Sequence, residues 1–94
     1  MGFEYKIAFS PVDEGTVDEI LRSAPFFCEP ARPFGKLKYE YRLPDNPGSI
    51  PNAHAAIEPF GVYFCDFGGA HEIMAGIVEQ ITKQIGPPTV SDLE

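Results

Sequence analysis

The first residues alternate in character. Phe3, Tyr5, Ile7 and Phe9 fall on one side of an extended chain, Glu4 and Lys6 on the other. Successive side chains of a strand point to opposite faces, so a period of two predicts a half-buried strand. Ser10-Pro11 ends it, because proline brings no N–H to a ladder. The period then changes. Val17, Ile20, Leu21 and Ala24 lie at i, i+3, i+4 and i+7, the apolar stripe of a short helix. Thr16-Val17-Asp18-Glu19 fits a capping box at its start, and Pro25 stops it. Phe26-Phe27-Cys28 is a short strand candidate, cut off by Glu29-Pro30-Ala31-Arg32-Pro33.

Strict alternation returns from Lys36 to Leu43, with Leu37, Tyr39, Tyr41 and Leu43 on one face and Lys36, Lys38, Glu40 and Arg42 on the other. Residues 44–52, rich in Pro, Gly and small polar side chains, read as a loop. Ala55 to Phe60 and Val62 to Phe67 predict a hairpin turning near Pro59-Phe60-Gly61. Its second strand is apolar on both faces, Val62 and Phe64 on one side, Tyr63, Cys65 and Phe67 on the other, as a central strand is. Gly68-Gly69 leads into a long helix, about Ala70 to Ile85, with Ile73, Ile77, Ile81 and Ile85 in its stripe. Gly86 suits the C-terminal cap and Pro87-Pro88 forbids continuation.

The expected order is β-α-β-β-β-β-α over residues 1–88, a single α+β domain, followed by a frayed tail at 89–94 in which Leu93-Glu94 has the look of a tag scar. Two amphipathic helices cover one face of a mainly antiparallel sheet of four or five strands, a two-layer sandwich. The plan is distantly ferredoxin-like. That plait closes with a strand after the second helix, where this chain has two prolines. Val17, Ile20, Leu21, Ile73, Ile77, Ile81, Tyr5, Ile7 and Tyr39 are expected to share one core.

Charge narrows the partners. Of 14 acids and 7 bases in 94 residues, residues 1–42 hold seven acids against six bases and residues 43–94 seven acids against Lys83 alone. An acidic surface repels phosphate backbones, so no nucleic-acid partner is expected. No apolar run reaches the roughly 20 residues of a membrane helix, and the first residues lack a signal pattern, so the expectation is a cytoplasmic protein without a membrane partner. Cys28 and Cys65 lack disulfide-framework or zinc spacing and read as reduced, buried hydrophobes.

Several motifs dissolve under scrutiny. Asp66-Phe67-Gly68 spells the kinase magnesium motif without its companion motifs. Gly68-Gly69-Ala70 enters a helix, where backbone N–H groups favour anions, but Glu72 stands beside it and no Lys or Arg does. Cys65, Asp66 and His71 resemble a nucleophile, acid and base, yet alternation sends Cys65 and Asp66 to opposite faces. His54, His71, Asp66 and Glu72 have no metal-site spacing, so neither cofactor nor metal is expected.

What remains is the sheet face away from the helices. It is expected to carry Lys6, Lys36, Lys38 and Arg42 with Glu4 and Glu40, around either Tyr63, Cys65 and Phe67 or Val62 and Phe64. An apolar strip within mixed charge suits a partner surface. The leading expectation is therefore a non-catalytic binding protein acting through that face, on a protein partner or on itself as a homodimer; an acidic neutraliser of a basic partner is one form of it. The alternative is a small enzyme or ligand-binding domain with a pocket near Asp66, His71 and the 44–54 loop, using Cys65 and His54.

Overall fold

The computed structural model describes residues 3–29, 39–46 and 50–93. Alternation in the first residues becomes β1 (Phe3–Ala8), and the first amphipathic stripe becomes α1 (Glu14–Ser23). The helix begins one turn before the expected capping box. Asp13 is the N-cap; its carboxylate accepts from the Thr16 N–H at 3.1 Å and from the Thr16 hydroxyl at 2.7 Å. Thr16 thus serves an earlier cap instead of being one. Pro25 ends α1 as expected and leaves a debt. The Leu21 carbonyl would take its helical bond from residue 25, which has no N–H. The Tyr41 hydroxyl donates to it at 2.7 Å.

The chain continues as β2 (Phe27–Cys28), β3 (Tyr39–Tyr41), β4 (Ala53–Glu58), β5 (Gly61–Asp66), α2 (His71–Gln84) and β6 (Thr89–Asp92). Among the described residues the strands form one six-stranded antiparallel sheet in the order β2-β3-β4-β5-β1-β6. The α+β sandwich is as expected, with more strands than four or five. The expected strand 36–43 is described from residue 39 onward, and Lys36 and Lys38 lie outside the described residues.

Residues 89–92 correct the expectation of a frayed tail. They pair with β1 through Tyr5↔Asp92, Lys6↔Ser91, Ile7↔Val90 and Ala8↔Thr89, and the Leu93 N–H reaches the Glu4 carbonyl at 3.0 Å. The prolines stop α2 but precede the ladder, so their missing N–H groups cost the strand nothing. Gly86, at φ 140°, reverses the chain while its N–H binds the Ile81 carbonyl at 3.0 Å. With β6 beside β1, the run β6-β1-β5-β4 and the crossovers through α1 and α2 give the closing strand of a ferredoxin-like plait; β2 and β3 extend it at one edge.

Both helices lie on one face. Ile7, Tyr39, Tyr41, Ala53, Ala55, Val62 and Phe64 meet Val17, Ile20, Leu21, Ile73, Ile77 and Ile81 in one buried cluster, with Tyr5 packed against it. Small residues on β4, Ala53 and Ala55, let α1 approach the sheet. The hairpin between β4 and β5 turns through Pro59-Phe60, and Gly61 makes it possible. A Cβ at Gly61, whose φ is 141°, would stand 2.3 Å from the Ile7 carbonyl oxygen. No helix among the described residues is long and apolar enough to cross a membrane.

Candidate functional site

Strand register sorts the candidate residues. On β5, Val62 and Phe64 face the helices, so Tyr63 and Cys65, followed by Phe67, take the helix-free side. A transverse row crosses that side through Cys28, Glu40, His54, Cys65 and Glu4, one residue from each of five neighbouring strands. Lys6, Tyr63 and Ala56 form the next row in one direction. Arg42, Asn52 and Phe67 lie in the other, joined by the bonds Asn52 N–H to Tyr41 carbonyl at 2.9 Å and Phe67 N–H to Asn52 carbonyl at 2.9 Å.

Side chains on this face bind one another. The Tyr63 hydroxyl donates to Glu4 Oε1 at 2.7 Å. Burial, then this bond to a carboxylate, push the Tyr63 hydroxyl well above the ordinary tyrosine value. Glu40 lies between two cationic-type groups, Arg42 Nε at 3.7 Å and His54 Nε2 at 3.6 Å. The His54 ring stands edge-on to Phe67, centroids 5.1 Å apart, and its Nδ1 is buried without a hydrogen-bond partner among the described residues. Lys6 Nζ sits 4.9 Å from the centre of the Phe60 ring. Cys65 is 7% exposed. Its thiol is pushed up mainly by burial, while a hydrogen bond with Tyr63 partly opposes the shift and the charges of Glu4 and Asp66 add to it. A thiol held protonated in this way is a poor nucleophile.

The expected pocket of Cys65, Asp66, His71 and His54 is therefore divided. His54 and Cys65 are register partners on the helix-free face. Asp66 belongs to the opposite side and is consumed by the turn into α2, where one carboxylate oxygen accepts from the Gly68 N–H at 2.7 Å and the Ala70 N–H at 3.3 Å. His71 is exposed at the first residue of α2. Beside the 44–54 loop there is a shallow cleft of about 350 Å³, lined by Asp45, Asn46, Ile50, Asn52, Phe67 and Gly68 among others, and none of those four residues lines it. Asn52 knits that loop together, donating to the Gly68 carbonyl at 3.0 Å and accepting from the Leu43 N–H at 2.9 Å. Among the described residues no three His, Cys, Asp or Glu side chains are placed to hold a metal ion.

A larger cleft, of about 470 Å³, opens where the β1–α1 connection meets the β4–β5 turn. Phe9, Val12, Tyr39 and Ile57 supply its apolar walls and Glu14 and Glu58 its carboxylates. No sequence motif marks it, because its residues come from three separated segments; the exposed apolar Val12 in the connection after β1 was the nearest signal.

Of the residues expected on the sheet face, Lys6, Arg42, Tyr63 and Phe67 share the helix-free side, and Lys36 and Lys38 fall outside the described residues. Comparison with protein-family models, with curated proteins and with solved structures gave no match for this chain.

Proposed function

We propose that this chain is a small non-catalytic binding protein of the cytoplasm that acts through the helix-free face of its sheet, and that the surface it engages is a second copy of itself. The observation that carries this reading is the alternation of charge along β1. Glu4 stands in the row of Glu40, His54 and Cys65, and Lys6 in the adjacent row with Tyr63 and Ala56. A twofold axis lying parallel to these rows, between them, sets Glu4 of one copy over Lys6 of the other. The same operation brings Cys65 over Tyr63 and His54 over Ala56, contacts of small or flat apolar surface. Phe67, 38% exposed, is the apolar ring on this face with most to gain from cover. The raised thiol of Cys65 and the division of the Cys65, Asp66, His71 and His54 group support a non-catalytic role.

Sedimentation across a wide concentration range tests the pairing. Lys6→Glu and Glu4→Lys are each expected to weaken association, because either places like charges in register across the axis. The double exchange, Glu4→Lys with Lys6→Glu, restores it. A strict monomer at the highest attainable concentration, or a double exchange no better than either single one, would remove the reading.

A further inference from the structure

Among the described residues, the β6 edge of the sheet is open. β6 is an outermost strand, all of its residues are exposed, and its strand neighbour is β1. The bonding pattern of β1 shows which backbone groups of β6 are spare. The Phe9 N–H binds the Phe60 carbonyl at 3.1 Å, so the odd-numbered residues of β1 exchange bonds with β5. The Leu93 N–H binds the Glu4 carbonyl at 3.0 Å, so the even-numbered ones exchange bonds with β6. Thr89 and Ser91, opposite Ala8 and Lys6, are therefore turned inward, whereas Val90 and Asp92 direct their N–H and C=O groups off the sheet. The gaps in the described residues after Glu29 and after Asn46 open beside β2, β3 and β4, with β5 and β1 between them and β6. We propose that this edge receives an extended, basic segment of a partner protein as an added strand.

The side chains of β6 state what that segment must be. Val90 lies opposite Ile7 on the helix side, and Asp92, opposite Tyr5, shares that side. A segment laid antiparallel to β6 places an apolar residue beside Val90, which is 41% exposed. Two positions earlier in its own chain it places a lysine or arginine beside Asp92. Those two residues exchange backbone bonds with Val90 and Asp92, as in other complexes that extend a sheet. Charge favours a foreign strand over a second copy. Residues 86–94 hold Asp92 and Glu94 and no base, so a copied β6 brings nothing to neutralise Asp92, and each chain carries a net charge of −7. The opposite edge is a poorer template, since β2 has only 2 residues.

NMR titration of the whole chain with an acetylated, amidated peptide, Thr-Thr-Lys-Thr-Val-Thr-Thr, tests the edge directly. Saturable changes are expected at the amides of Val90 and Asp92. N-methylation of the peptide valine removes the donor that faces Val90 and should abolish binding. N-methylation of the threonine between lysine and valine, whose N–H faces away, should leave it in place. Glutamate in place of the peptide lysine should weaken binding about fivefold, and Asp92→Asn should erase that preference. Val90→Pro removes an outward N–H and no bond to β1, so it should lose the peptide and keep the thermal melt. No saturable change, equal effects of the two N-methylations, or changes centred on Tyr63 and His54 would overturn the proposal. Self-association of the free chain that Val90→Pro abolishes would assign the edge to a second copy and overturn it too. The edge acts through the backbone of β6 and the proposed twofold contact through Glu4 and Lys6, so a failure of one reading leaves the other standing.

Discussion

Along β5, neighbouring residues meet opposite environments. Val62 and Phe64 have no exposed surface and share one cluster with Ile7, Ala55 and the isoleucines of α2, whereas Tyr63 and Cys65 lie on the side where the described contacts are largely polar or aromatic, Tyr63 with Glu4 among them. On the helix side burial is achieved by a second layer of structure and apolar contact. On the other side it is achieved piecemeal: a hydroxyl on Glu4, a ring against His54, an ammonium over Phe60. The first kind of burial carries stability. The second leaves groups that trade their present partners for new ones at small cost, since bonds among exposed side chains are worth little. This is why the helix side holds the fold and the other side is the better place to look for association.

Substitutions that sharpen the contrast begin in the core. Ile77→Ala, beneath α2 at a fully buried position, should lower the unfolding free energy in urea melts by about 2–5 kcal/mol. A loss under roughly 0.5 kcal/mol, the scale of a surface change, would mean that α2 is not packed on the sheet in this way. Next come two tyrosines that each donate one hydrogen bond. Tyr41→Phe strands the buried Leu21 carbonyl, whose helical donor is already missing at Pro25, and should cost about 1–3 kcal/mol. Tyr63→Phe frees a carboxylate that water solvates, and its effect should stay within about 0.5 kcal/mol. Equal effects would erase the distinction between the faces.

Alkaline pH gives a third test. Burial raises the hydroxyls of Tyr39, Tyr41 and Tyr63 above the ordinary value, aided at Tyr39 by its bond to Asp18 and at Tyr63 by its bond to Glu4. A folded-state value above the unfolded one means that the unfolded chain ionises first. Stability from these groups is whole below about pH 10 and declines as pH climbs beyond it. For the buried Tyr41 the decline is at most about 1.4 kcal/mol per pH unit. Thermal melts from pH 8 upward should therefore be level and then fall, and Tyr41→Phe should flatten the fall. A steady decline beginning well below pH 10 would point to other groups.

Much of the helix side was legible in the chain itself. The alternation of Phe3 to Phe9, the isoleucine stripe of α2, the cap at Gly86 and the turn at Pro59-Phe60-Gly61 are local patterns whose physics acts between near neighbours. The displaced start of α1 is a local error of one turn: Asp13 and Thr16 share the same three-residue spacing as Thr16 and Glu19, and either pair fits a cap. β6 was missed because two prolines read as an end, although the ladder begins only after them. The larger cleft was beyond reach for a different reason. Phe9, Glu14, Tyr39 and Ile57 meet only through tertiary structure, and nothing in the spacing of each announces the others. His54 and Cys65 likewise became neighbours only once the β4–β5 register was known.

The position of β1 has a consequence for the order of events during synthesis. β1 leaves the ribosome before the other five described strands, yet both its neighbours, β5 from Gly61 and β6 to Asp92, are made well after it. Until then its two edges have none of the partners they finally take, and Phe3, Tyr5, Ile7 and Phe9 wait without their layer. Such long-range pairing slows folding and prolongs exposure to other nascent chains. Glu4 and Lys6 interrupt that apolar series at every other residue, placing a charge on each stretch of edge where a stray strand would dock. The same alternation that orients β1 in the finished sheet therefore guards it while the sheet is incomplete.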